Sequence, residues 1–168
     1  FEYSSTPTLS LTAETEIPHY WTPKNFVVDY VVDGDVDSYF FSSDNLKADD
    51  NIVFTLLEES AISEVKLTFM NGDQPNGSVI EISDDKSNWN QVASFNKSDI
   101  STTDYTYSCS LSGQTAKYVR LRFTEASDGW FKLAEFEVIP GETASIPSRT
   151  IQVTASPAEG GTVTANNV

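Results

Sequence analysis

Glu64-Val65-Lys66-Leu67-Thr68-Phe69 alternates strictly between polar and apolar side chains. Successive Cβ atoms of a strand point to opposite faces, so Val65, Leu67 and Phe69 share one face and Glu64, Lys66 and Thr68 the other. A helix would scatter the same residues around its axis. The alternation returns downstream: Val119, Leu121 and Phe123 with Arg120, Arg122 and Thr124, then Ala134, Phe136 and Val138 with Glu135 and Glu137. One face for a core and one for water is the pattern of antiparallel strands. Residues 8–13, 51–57, 79–83, 91–95 and 104–110 add further strand segments. Turn-forming clusters separate them: Asp33-Gly34, Asn71-Gly72-Asp73, Asn76-Gly77, residues 84–88, Ser112-Gly113 and Ser127-Asp128-Gly129. Eight short strands at this spacing predict an all-β chain, an antiparallel β-sandwich or jelly roll. No long amphipathic helix competes with that pattern.

The rest of the composition bounds the chemistry. A chain of 168 residues has room for one ordinary domain and a small appendage. No apolar run approaches the ~18 residues of a membrane span, and no basic-then-apolar leader precedes the strands, so the chain reads as an excised piece. Asp and Glu outnumber Lys and Arg 25 to 10, a formal charge of −15. Such a charge repels nucleic acid and anionic membrane surfaces, and leaves neutral sugars and divalent cations as partners; it also serves solubility alone. Cys109 is the only cysteine and His19 the only histidine, so no internal disulfide can form and any histidine-based nucleophilic site must pass through His19. Within alternating residues 105–111, Cys109 is expected to be a small buried hydrophobe.

The pattern breaks after Pro140. Residues 1–140 are expected to form one domain and residues 141–149, rich in Gly, Pro, Thr and Ser, a linker. Residues 150–168 read as the truncated start of a following β-rich repeat domain, because some twenty residues cannot close a core. Residues 155–163 resemble the start of bacterial surface repeats of the internalin-B repeat kind.

Three further stretches carry a broader resemblance. Residues 32–43 (Val-Asp-Gly-Asp-Val-Asp-Ser-Tyr-Phe-Phe-Ser-Ser), residues 80–89 (Ile-Glu-Ile-Ser-Asp-Asp-Lys-Ser-Asn-Trp), and Tyr118-Val119-Arg120-Leu121-Arg122-Phe123 followed by Leu133-Ala134-Glu135-Phe136-Glu137-Val138 stand in order along residues 8–139. Together they resemble the discoidin fold, or factor V/VIII type C domain, in its bacterial family-32 carbohydrate-binding form, of the kind attached to secreted N-acetylglucosaminidases and hyaluronidase-like enzymes. The resemblance implies a discoidin-like jelly roll, Trp89 and Phe40 in the core, and a secreted or cell-surface bacterial location.

Asp33 and Asp35 flank Gly34, with Ser38 close behind. Spacing alone leaves two readings, a solvated Asp-Gly turn or a cation loop, since calcium takes six to eight oxygen ligands and a reversing turn supplies several. The resemblance implies a structural Ca²⁺ held by the Asp33 side chain, the Tyr30 and Asp35 carbonyls, Ser38 in place of the usual threonine, and Glu135 from the last strand.

Sugar rings have apolar faces and hydroxyl rims, so their sites join an aromatic platform to amides and carboxylates. Residues 71–77 are rich in such polar groups, and Trp130 follows a turn, placed either as a platform or as packing. The resembled fold implies that these loops converge with Phe41 and Asp44 at one end of the sandwich, giving a glycan site of Phe41, Asp44, Asn71, Asp73, Asn76 and Trp130. Galactose-binding relatives carry a histidine where this chain has Phe41 and an arginine near Asn71, which points away from galactose and towards N-acetylglucosamine or another equatorial-hydroxyl glycan. His19-Tyr20-Trp21, between Pro18 and Pro23, is a second possible exposed aromatic patch. The expected function is a non-catalytic carbohydrate-binding module acting beside other domains of the same polypeptide, a glycoside hydrolase among them. The alternative is an adhesion or protein-interaction module, because fold does not fix function.

Overall fold

The computed structural model describes residues 6–142. Its strands are β1 (Leu11–Thr15), β2 (Phe40–Phe41), β3 (Asn51–Phe69), β4 (Gly77–Ser83), β5 (Asn90–Asn96), β6 (Thr106–Phe123) and β7 (Lys132–Pro140), with short 3₁₀ turns at Val28–Val32 and Lys97–Asp99. All pairings are antiparallel, in the order β2-β7-β3-β6-β4-β5, with β1 also paired to β3. The first strand is displaced from its expected 8–13 to Leu11–Thr15.

The expected count of eight short strands is corrected by fusion. Segments 51–57 and 65–69 are two halves of β3, and 104–110 and 119–123 fall largely within β6. Register shifts between Thr55 and Ser60 and between Ile62 and Glu64 let the chain bend without ending its pairing. Gly113, expected in a turn, lies inside β6 with φ +88°.

Each long strand therefore belongs to two layers. The first half of β3 pairs with β1 and with residues 118–122 of β6, and β6 continues to β4 and β5. The second half of β3 pairs with β7 and with the start of β6, and β7 continues to β2. The inward faces meet at Phe54 and Phe136, whose rings stack at 3.6 Å. Ile52, Leu56, Val65, Leu67, Phe69, Val119, Leu121, Phe123, Phe131 and Val138 complete a sandwich core at the phase the alternation predicts. Each such side chain contributes about 1.5–3 kcal/mol by leaving water.

Two outward-facing acids depart from that alternation. Glu135 of β7 is only 3% exposed, and Glu81 of β4 is buried beneath Arg120 and Arg122, to which its carboxylate bonds at 2.7 and 3.1 Å. Trp89 is not in the core as expected. It lies half-buried on the outer side of the first layer, with the Arg120 guanidinium 4.1 Å from its ring and its Nε1 donating to the Lys86 carbonyl. It precedes β5, the edge strand, where no second layer covers the outward side. Cys109 is half-buried, and burial pushes its thiol up to about 11. Phe40 is in the core. Beyond residue 142, the expected linker and the strand expected in 150–168 lie outside the described residues. Among the described residues no helix is long and apolar enough to cross a membrane.

Candidate functional site

β2 is two residues long, and its alternation does two jobs: Phe40 points into the core, while Phe41 forms the floor of an aromatic patch. Phe41 pairs with Lys132 of β7. On its other side the Phe41 carbonyl accepts from Tyr20 N (2.8 Å), the Tyr20 carbonyl from Phe26 N (2.9 Å), and the Phe26 carbonyl from Phe41 N (3.3 Å). Ser43 N donates to the Pro18 carbonyl, and His19 bridges to Ser42. These bonds strap residues 18–26 beside β2 and stack the Tyr20 ring on Phe41 at 5.0 Å.

Trp130 meets Phe41 edge to face at 5.4 Å. Its position is fixed from both ends. Ser127 Oγ donates to the Gly129 carbonyl and accepts from Leu46 N, while Phe131 is anchored in the core with its N–H on Ser42 Oγ. With Phe131 turned into the core just before β7, the Trp130 ring is left facing water. Phe41 is 8% exposed, Tyr20 40%, Trp130 61% and Trp21 72%. Two large rings open to water, Tyr20 and Trp130, against a buried one are an uncommon use of apolar area in a highly charged chain.

Beside the rings stands an ion pair. Lys132 Nζ lies 4.5 Å from the Phe41 ring centroid and 5.7 Å from that of Trp130, and 3.1 Å from Asp73 Oδ2. Lys132 N also donates to the Asp73 carbonyl (3.2 Å), so β7 holds the 70–73 turn against the patch. The pair sets a cationic donor and an anionic acceptor side by side at the rim of an apolar face, the arrangement that vicinal hydroxyls satisfy.

The residues expected to form one glycan site do not all gather there. Phe41, Trp130 and Asp73 do, with Phe41 as floor rather than exposed platform. Asn76 Nδ2 donates to the Ala126 carbonyl (3.1 Å), tying two loops together. Asn71 lines a separate hollow with Tyr105, on the far side of its turn. Asp44 is exposed beyond Ser43, outside the aromatic contacts. Conversely, Tyr20 joins the Phe41–Trp130 patch, so the two aromatic alternatives of the sequence form one surface. Lys132 was missed; its position directly ahead of the alternating residues 133–138 was the available signal.

The acidic turn lies elsewhere, between the Val28–Val32 turn and β7. Ser38 Oγ is 2.7 Å from Asp33 Oδ2, 3.0 Å from the Asp35 carbonyl and 3.5 Å from the Tyr30 carbonyl. Gly34, at φ +83°, reverses the chain and donates its N–H to Glu135 Oε1 at 2.9 Å. All five expected donors thus converge, from residues 30–38 and from β7. Burial pushes the Glu135 carboxyl up to about 7, helped by a proton shared with Asp33 and by the charges of Asp33 and Glu137. Burial acts the same way on Asp33, but bonds from Ser38, the Asp35 N–H and Glu135 outweigh it and hold that carboxyl below its ordinary range. Two facing carboxylates, a hydroxyl and two carbonyls form a hard-oxygen set that suits calcium, with waters completing six to eight ligands. A cleft of about 250 Å³ bordered by Asp33, Glu135 and Glu137 opens beside them.

Residues 10–136 match the F5/8 type C domain family. No curated protein matches the chain. Among solved structures it is similar to the CBM32-1 module of a family 31 glycoside hydrolase from Clostridium perfringens, at 20% identity and TM-score 0.67 over 80% of this chain and 98% of that one. It is also similar to a CBM32 module of Clostridium perfringens in complex with GalNAc-β-1,3-galactose (15% identity, TM-score 0.66, 79% and 99% covered). A chitosan-binding module of a chitosanase/glucanase from Paenibacillus sp. IK-5 matches at 24% identity and TM-score 0.63, covering 78% and 96%. With the family's match spanning both layers of the sandwich and the turns at its ends, this chain belongs to the F5/8 type C, or discoidin, family.

Proposed function

We propose that the chain is a non-catalytic carbohydrate-binding module that docks a larger secreted or cell-surface bacterial glycoside hydrolase on its glycan. The observation that carries this is the Tyr20–Phe41–Trp130 surface with the Lys132–Asp73 pair at its rim. A pyranose laid on those rings buries its apolar face, and its rim hydroxyls meet Lys132 and Asp73. Phe41 offers no hydrogen bond, so an axial hydroxyl above it would lose its partners, and equatorial sugars such as N-acetylglucosamine suit the floor better. Asp73 is engaged with Lys132, a binding arrangement rather than that of a free acid. The neighbours named above, which include modules from a glycoside hydrolase and a chitosanase/glucanase, support the accessory role. Such modules act by tethering, raising the local concentration of a linked enzyme.

We also propose that Asp33, Glu135, Ser38 and the Tyr30 and Asp35 carbonyls hold a structural Ca²⁺. The convergence of these oxygens from opposite ends of the domain supports it. The cation would link residues 30–38 to β7 and stabilise the fold through binding.

A glycan array followed by calorimetry on the best hit tests the binding function. Trp130→Ala removes an exposed ring, so the melting temperature should hold while affinity falls about tenfold or more, equal to ~1.4 kcal/mol. Unchanged binding in that variant sinks the proposed surface. Capture of a protein with no glycan signal favours adhesion, and turnover of chromogenic glycosides would make the chain an enzyme.

A further inference from the structure

The 70–74 turn has two occupied sides. Asp73 faces Lys132 and the aromatic patch, whereas Asn71, two residues earlier, faces a hollow of about 340 Å³ bordered also by Gln74, Lys97, Ser101, Thr102 and Tyr105. The turn is closed by Asp73 N donating to the Met70 carbonyl (3.2 Å), and Gly72 at φ +87° lets its neighbours diverge. Strand order explains the geometry: β7 begins at Lys132 on one side of β3, and β6 begins after Tyr105 on the other. The two sites are therefore separated by about two strand spacings, ~10 Å, the scale of two linked pyranose rings.

The hollow is built. Tyr105 is held at φ +58°, a conformation seldom adopted by an aromatic residue, and its carbonyl accepts from Phe69 N at 2.9 Å. That bond fixes the Tyr105 backbone against the end of β3, while buried Ile100 supplies an apolar base. Asn71, Gln74, Lys97, Ser101 and Thr102, residues that carry amide, ammonium and hydroxyl groups, border it. An apolar base with a ring of mixed donors and acceptors, at the lower end of the volume range of small-molecule sites, suits a neutral polyhydroxyl ring.

We propose that this hollow is a second saccharide subsite, so that the module takes an oligosaccharide chain lying across the 70–74 turn and not a single terminal sugar. The proposal rests on the aromatic patch being the primary glycan site. Its occupant is the continuation of the same chain, because both sites open on either side of one turn.

The probes are N-acetylglucosamine and its β-1,4-linked oligomers of two to six units, with glucosamine oligomers of equal length, measured by calorimetry. Affinity of the wild type should rise about tenfold, ~1.4 kcal/mol, between the single sugar and the tetramer. The double variant Asn71→Ala, Thr102→Ala changes two exposed side chains; it should keep the affinity for the single sugar and lose the gain with length. Trp130→Ala should weaken every length. Trp130-dependent binding that ignores length, or a length gain that survives the double variant, overturns the second subsite alone. Absence of binding to every oligomer overturns the subsite with the proposed function for these glycans.

Discussion

Replacing Glu135 by glutamine removes one charge and keeps the shape, and its effect should change sign with calcium. Glu135 is 3% exposed, accepts one N–H from Gly34 and faces Asp33. Without a cation, burial and that neighbour raise its carboxyl from 4.5 to about 7. At ~1.4 kcal/mol for each tenfold, holding it ionised above pH 7 costs at most about 3 kcal/mol. Because the folded value exceeds the unfolded one, this contribution to stability is complete below pH ~4.5 and is lost as pH rises through ~7. In EGTA at pH 8, Glu135→Gln should therefore melt several degrees above the wild type, its amide still accepting from Gly34 and donating to Asp33. With calcium at 100 times its dissociation constant, the wild type gains about 2.7 kcal/mol and the variant, short of a charged ligand, gains far less. Scanning calorimetry of both proteins in EGTA and in calcium gives four melting temperatures. The reasoning is refuted if the variant's advantage is the same in both media, because a site that binds no cation has nothing to reverse.

The remaining predictions concern the scaffold. Phe54→Ala empties half of the 3.6 Å ring stack that joins the layers and should lose about 3–5 kcal/mol in urea unfolding. Burial pushes the Glu81 carboxyl up, yet Arg122 and Arg120 outweigh it and hold it below its ordinary range; its stabilisation is present above the unfolded value of 4.5 and falls away as pH drops through the folded one. Glu81→Gln should thus be destabilised by about 3–5 kcal/mol at pH 7, and should flatten the acid limb of the stability profile. Cys109, with its thiol pushed up to about 11, should react with a thiol reagent at pH 8 far more slowly in the native protein than in urea.

Much of the fold was legible because period-two alternation is local: Val65–Phe69, Val119–Phe123 and Ala134–Val138 each take the predicted face. What alternation cannot show is whether two segments are one bent strand. Segments 51–57 and 64–69 read as separate strands, and Ser112-Gly113 as a turn because of its glycine, yet register shifts carry β3 across the first gap and β6 runs through the second. Trp89 was misplaced because its apolar area is covered by the Arg120 guanidinium and not by a second layer. The aromatic patch was split in the sequence, since Tyr20 and Trp130 are 110 positions apart and are joined only through Phe41. Asn71 and Asp73 were read as one site because sequence proximity hides the Gly72 reversal between them.

The sharing of β3 and β6 by both layers also bears on how the domain yields under load. A sandwich made from separate sheets can part along its core like two plates. Here the plates are folded from the same ribbons, so prising them apart means straightening two backbones and breaking ladders on either side at once. The proposed binding surface, hung on such a frame, would keep its shape until the whole domain lets go, a useful property for a module pulled by whatever it tethers.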